Sequence, residues 1–214
     1  GLWPHKWYMG YYSFSADGVQ ADEYQITNIG SSLSLRTFCN ENGHMICGWD
    51  DLYDYEGDSR GAGNYCIMAS GGYNTNPMVP NPYFRDLKGW ETILDLNAAV
   101  SGVYEHQANS LATYQYTNPG NSREFFMIES RRDRGRNSAI PDEGVLIWHI
   151  DEDGNRDDEQ MTPDQHYVVS VEQADGDFDL ENNYNSGDST DLFDSSYNNK
   201  FTDTSAPDAK WWSG

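Results

Sequence analysis

The sequence predicts an α+β protein in which a helix-containing unit precedes a β-rich one. Three observations predict it. Leu33, Leu35, Phe38, Met45 and Ile46 recur at near-helical spacing over residues 31–46. Residues 92–96, 125–129, 144–150 and 167–172 are short runs rich in β-branched and aromatic side chains, separated by polar turns. The texture of the chain changes near Trp90 without a flexible linker, so the predicted units are 1–89 and 90–214, packed closely together.

Residues 1–30 are aromatic and glycine-rich, with Asp17-Gly18 as a turn signal and residues 24–27 alternating as a short strand does. The helix over 31–46 has Ser31 or Ser32 available as a cap. Residues 47–90 carry Gly71-Gly72 and the series Pro77, Pro80 and Pro82, which predicts a packed but irregular loop region. The strands follow. Residues 175–194 hold seven Asp or Glu among Gly, Asn and Ser, and so few apolar groups that something other than a core must order them. A bound cation is one candidate.

The 214 residues include 35 Asp and Glu against 13 Lys and Arg, giving a formal net charge of −22. Nucleic acid is excluded as a partner, because phosphate contacts need clustered basic residues. Aromatic residues make up 14% of the chain, too much apolar surface for a disordered acidic tail. The longest apolar run, residues 144–150, is too short to span a bilayer. An acidic, lysine-poor composition with three closely spaced cysteines predicts a secreted protein with one disulfide and one free thiol. The abrupt ends, Gly1-Leu-Trp-Pro-His and Lys210-Trp-Trp-Ser-Gly, read as those of a segment from a longer polypeptide.

The chemistry centres on Asn40-Glu41-Asn42-Gly43-His44, late in the predicted helix. Zinc hydrolases use His-Glu-x-x-His, in which two imidazoles one turn apart bind the metal and the Glu stands beside the attacking water. Here the first His is Asn40. Positions 40 and 44 still share a helical face, and Asp50 or Asp51 stands where an acidic third ligand after a glycine turn would close the site. Downstream, Asp175, Asp177, Asp179, Asp188, Asp191 and Asp194 offer oxygens for Ca²⁺, although the spacing fails the EF-hand template. Asp151-Glu-Asp-Gly-Asn155 is a weaker second calcium candidate. His149 sits in an apolar strand pattern and reads as a core histidine. The basic run 131–136 reads as a solvated turn.

The segment Phe38-Cys-Asn-Glu-Asn-Gly-His-Met-Ile-Cys-Gly-Trp-Asp-Asp-Leu-Tyr-Asp-Tyr55, then Gly63-Asn-Tyr-Cys-Ile-Met-Ala-Ser70 and Pro80-Asn-Pro-Tyr-Phe84, resembles the immune inhibitor A family of secreted zinc metallopeptidases. So do Gly144-Val-Leu-Ile-Trp-His-Ile-Asp-Glu152 and Val171-Glu-Gln-Ala-Asp-Gly176, in the same order. The resemblance implies a partial zincin-like unit, a helix with a Met-turn, over 1–89, followed by a β-sandwich-like unit over 90–214. It implies Glu41 as general base, His44 as a zinc ligand, Asp51 as the acidic ligand, and Met68 as the floor of the site. Asp51 is preferred because the family's Asp-Leu-Tyr-Asp string aligns with Asp51-Leu-Tyr-Asp54, although the usual spacing from His44 points to Asp50. Tyr53 or Tyr73 would support an oxyanion.

Asn40 is the departure, since an amide oxygen is a poor zinc ligand beside neutral imidazole. The resemblance further implies that the family's sheet-forming stretch lies upstream of residue 1. A Cys39–Cys66 bridge would tie the helix to the Met-turn, with Cys47–Cys66 as the alternative. Two functions follow: peptide-bond hydrolysis by metal-activated water on a protein or peptide substrate, or a non-catalytic pseudopeptidase scaffold in an extracellular assembly. A carbohydrate-binding sandwich module would use the exposed Trp and Tyr but leaves the Glu41 motif unexplained.

Overall fold

Aromatic and β-branched residues near the start of the chain form two small ribbons. In the computed structural model, which describes residues 3–27, 29–155 and 166–214, β1 (His5–Tyr8) pairs antiparallel with β4 (Glu23–Ile26). Between them, β2 (Phe14–Ala16) and β3 (Val19–Ala21) form a hairpin about Asp17-Gly18. Helix α1 (Leu35–Asn42) starts later than the sequence predicts, because Ser34 rather than Ser31 or Ser32 caps it, its Oγ accepting from the Thr37 N–H at 3.3 Å. A short ribbon of β5 (Gly72–Tyr73) and β6 (Asn76–Pro77) follows, then α2 (Pro82–Asp86), with Asn81 as cap and Pro82 at its first turn.

The rest is built on one five-stranded sheet of β7 (Thr92–Asp95), β8 (Ala112–Asn118), β9 (Asn121–Arg131), β10 (Gly144–Asp151) and β11 (Val169–Val171). Its order is β11-β10-β9-β8-β7, and only the β7–β8 pair is parallel. Four of these strands match the sequence expectation; β8 was not expected. The α+β class holds. The β-sandwich-like expectation does not, because a single large sheet is present among the described residues and irregular chain covers its second face. Residues 173–214 carry too few alternating apolar positions to make a second sheet, and they dock instead through bridges such as Val145↔Phe193.

Alternation along β9 and β10 sorts the core. Phe125, Met127, Leu146, Trp148 and Ile150 point into a cluster shared with Trp49, Tyr65, Met68 and Phe84, so chain from both sides of residue 90 fills one core. Phe126 and Ile147 face the opposite way, against Phe193, Phe201 and Trp211. Two basic-residue expectations resolve here. His149 is fully buried, as expected of a core histidine. Arg131 is not a solvated turn residue: it lies buried at the end of β9, its Nη2 2.7 Å from Glu129 Oε1.

His149 faces carboxylates with both ring nitrogens, Glu172 Oε1 at 2.9 Å from Nδ1 and Glu124 Oε1 at 3.0 Å from Nε2, and Trp212 stacks on its ring. Burial pulls its pKa down, but the two carboxylates outweigh that and hold it above the ordinary 6.5. Burial pushes Glu124 up, yet bonds from His149, Ser213, Asn118 and the Trp212 N–H hold it at about 2. A group raised in the folded state stabilises it below the unfolded pKa and stops doing so as pH rises through the folded one. Stability to urea is therefore expected to decline above pH 6.5 through the raised His149 pKa. A His149→Gln variant should be less stable at low pH and show a flatter decline, as measured by equilibrium unfolding from about pH 5.5 to about pH 9.

Candidate active site

Helix α1 ends in a wider turn. Residues Gly43–Cys47 form a π-helical turn closed by the Gly48 N–H on the Gly43 carbonyl, and Gly48 leaves it in the left-handed region at φ 66°. A π turn takes up one residue more than an α turn, which moves the following chain by one position. Asp51 rather than Asp50 consequently reaches His44: its Oδ1 lies 3.0 Å from His44 Nε2. Asp50 is exposed to solvent.

Beneath this turn lies Met68, fully buried. A Cβ on Gly43 would stand 2.6 Å from Met68 Sδ and 3.1 Å from the Trp49 ring, so a glycine is what lets the helix settle on the methionine. Asn40 faces the same support, its Nδ2 donating to the Ile67 carbonyl at 3.3 Å and lying 3.8 Å from Met68 Sδ.

Asn40, Glu41, His44 and Asp51 line one cleft of about 470 Å³, whose other wall is β1 with Trp3 and Pro4 before it. His44 is fixed at both nitrogens, Nδ1 2.6 Å from the Trp49 carbonyl and Nε2 against Asp51. A neutral imidazole has one N–H, and here both partners are acceptors, so a proton or another cation must lie between Nε2 and Asp51. Burial lowers the His44 pKa, but Asp51 and the Trp49 carbonyl together hold it above the ordinary value.

Asp51 is the converse case. Burial raises its pKa, and hydrogen bonding and charge from His44, with the Tyr55 and Tyr53 hydroxyls, bring it below the usual range. Glu41 is nearly inaccessible, and burial pushes its carboxyl up, countered only in part by His44 and the Lys6 backbone N–H. The cleft thus contains a carboxylate with raised proton affinity beside an imidazole–carboxylate pair.

The structure brings together Asn40, Glu41, His44, Asp51, Met68 and Tyr53, and leaves Tyr73 outside the cleft. Cys39, Cys47 and Cys66 are free thiols, so the expected Cys39–Cys66 bridge is not formed. Cys66 is fully buried and its Sγ takes the Asn81 amide at 3.7 Å instead. Of the expected calcium ligands, Asp175, Asp188 and Asp191 converge. Asp177 and Asp179 fall outside that group, since Asp177 is exposed and Asp179 Oδ2 accepts from Asn185 Nδ2 at 2.5 Å. Asp151 is occupied by its own turn, Oδ1 accepting from the Asp153 N–H at 3.0 Å.

Sequence reasoning missed the β1 wall, Tyr55, whose hydroxyl donates to Asp51 Oδ2 at 2.7 Å, and the Trp49 carbonyl. Nothing local marks β1 as a partner of a helix thirty residues on, and a backbone carbonyl leaves no sequence signal. Tyr55 was legible in principle, as an aromatic four residues after Asp51.

Adding a methyl at residue 43 is expected to destabilise the fold by about 1–3 kcal/mol, the usual range for overpacking a filled core. Gly43→Ala should lower the denaturant midpoint, and the same change should cost less in a Met68→Ala background; unfolding curves of the parent, the two single variants and the double variant check this.

No protein-family model matches the chain, and neither a curated protein nor a solved structure is significantly similar to it.

Proposed function

We propose that the cleft between α1 and β1 is a metallopeptidase-type site in a secreted protein, with peptide-bond hydrolysis as its chemistry and Asn40 as its weakness. The observation that carries the reading is the convergence of buried Glu41 with the His44–Asp51 pair on one cleft above Met68. Glu41 has the environment of a general base and acid: its raised proton affinity suits it to take a proton from an attacking water and return it to a leaving amine. The β1 wall would hold a peptide against it.

The donors fit zinc in two places and fail in a third. With Nδ1 donating to the Trp49 carbonyl, His44 has the orientation in which Nε2 ligates a metal, and Asp51 is steadied in turn by Tyr55. His44 and Asp51 would hold the ion. Asn40 does not fit: its NH₂ group is turned to Ile67 and Met68, so only the amide oxygen is left as a donor, and amides are not among the side chains that hold a catalytic zinc. When bound, zinc activates water and polarises the scissile carbonyl. The same observation favours a second reading, a non-catalytic scaffold for an extracellular assembly in which the His44–Asp51 ion pair is purely structural.

Metal titration separates the two. Asn40→His is expected to tighten zinc binding by at least about tenfold, the lower end of what a single ligand-supporting group contributes. Adding Glu41→Gln in that background should keep zinc while cutting hydrolysis of an internally quenched peptide by about 10²–10⁴. An Asn40→His chain that takes up no more zinc than the parent would overturn the peptidase reading.

A further inference from the structure

Among the described residues, no base pairs with the carboxylates of Asp175, Asp188 and Asp191 in the acidic segment after β11. We infer that Asp175, Asp188 and Asp191 form a calcium site that fastens this segment to the chain leading to Met68. One oxygen from each lies within 4.8 Å of the others. Three oxygens that close can all reach one Ca²⁺ at about 2.4 Å, and three carboxylates on one ion suit Ca²⁺ better than Mg²⁺, which keeps several waters and takes one or two carboxylates. The donor set is all oxygen, which suits a hard cation rather than zinc.

A second observation points to an ion independently of the clustering. Asp191 is 1% exposed; its Oδ2 accepts from the Tyr65 hydroxyl at 2.7 Å and the Asp188 N–H at 2.8 Å, while its Oδ1 is buried with no partner. Such an oxygen has lost water and gained nothing, unless a cation meets it. Thr190 adds to the deficit: its hydroxyl lies 2.7 Å from both Asp175 Oδ2 and Asp188 Oδ1, and one proton can serve only one of them. None of the ion pairs among the described residues involves Asp175, Asp188 or Asp191.

The position of Asp191 gives the ion its structural reach. Tyr65 is fully buried beside the Met68 turn, the Asn64 N–H donates to the Ser186 carbonyl at 2.8 Å, and the Arg60 N–H donates to the Leu180 carbonyl at 2.8 Å. Neutralising Asp191 would hold the acidic segment down on residues 60–65, and with it the support under the cleft.

The test uses the whole chain, stripped with a chelator and titrated with CaCl₂ or MgCl₂ by calorimetry, with thermal unfolding in parallel. One Ca²⁺ per chain is expected, with a rise in Tm and much weaker Mg²⁺ binding. Asp191→Asn should weaken Ca²⁺ by at least about tenfold yet leave the calcium-free Tm equal or higher, because the amide oxygen still accepts from Tyr65 and Asp188 while its NH₂ faces the other carboxylates. If that variant does not fold, Asp175→Asn, at a half-buried position, should show the same loss of affinity, and Asp177→Asn should show none. No Ca²⁺ binding by the parent, affinity unchanged in both Asp191→Asn and Asp175→Asn, or Mg²⁺ binding as tight as Ca²⁺ would each overturn the inference.

Discussion

Glu129 sits at the middle of the sheet with no access to solvent, and three donors converge on it: Arg131 Nη2 at 2.7 Å, Arg85 Nη2 at 3.1 Å and Trp148 Nε1 at 2.9 Å. Burial alone would push its carboxyl up, but the two guanidinium groups hold it at about 2. Removing one partner from such a pair typically costs about 3–5 kcal/mol, because a buried charge is left uncompensated. Arg85 belongs to α2, where it also bonds Glu91 at 2.5 Å, so the network pins that helix against β9. Phe84 of the same helix stacks on Trp49 at 5.5 Å, and the Trp49 carbonyl orients His44. The imidazole of the cleft is therefore positioned through a continuous path that begins at a buried ion network.

The same constraint recurs wherever this acidic chain buries a carboxylate, and it is met in different ways. Glu124 and Asp51 each have a histidine and additional donors, and both are held below the ordinary range. Among the described residues Glu181 has neutral hydrogen-bond partners, Gln173 and Ser170, and burial pushes it to about 7, so near neutrality a proton does the work of a base. Among the described residues, Asp191 has neither a base nor a full set of donors. With 35 acids against 13 bases, side-chain cations are scarce, and among the described residues none pairs with Asp175, Asp188 or Asp191.

Much of the sheet was legible, because β9 and β10 carry long runs of β-branched and aromatic residues. β8, the run Ala112–Asn118, alternates Tyr and Thr with polar residues and reads as weakly as a turn region until its partner β9 is known. The helix was legible in place but not in its ends: Ser34 and Ser31 offer the same capping chemistry, and only the backbone decides between them. Residue counting from His44 points to Asp50, while the Asp51-Leu-Tyr-Asp54 string points to Asp51; the counting misleads because it assumes an α-helical register that the π turn at Gly43–Cys47 breaks. Arg131 looked solvated because five of the next residues are polar or Gly, yet its register in β9 turns it inward to Glu129.

The two acidic places answer the question of charge in opposite directions. At His44–Asp51 the missing positive charge can be a proton, since Asp51 itself raises the basicity of the imidazole it faces. Any metal arriving there must displace that proton, so its apparent affinity carries the cost of deprotonating a histidine that its own co-ligand has made harder to deprotonate. A third strong ligand offsets such a cost, and the neutral amide oxygen of Asn40 does not supply it. At Asp191 no imidazole competes. A proton there would satisfy one oxygen but leave Asp175 and Asp188 facing each other, whereas a single divalent cation meets all three at once, which is why the stronger case for metal lies away from the cleft.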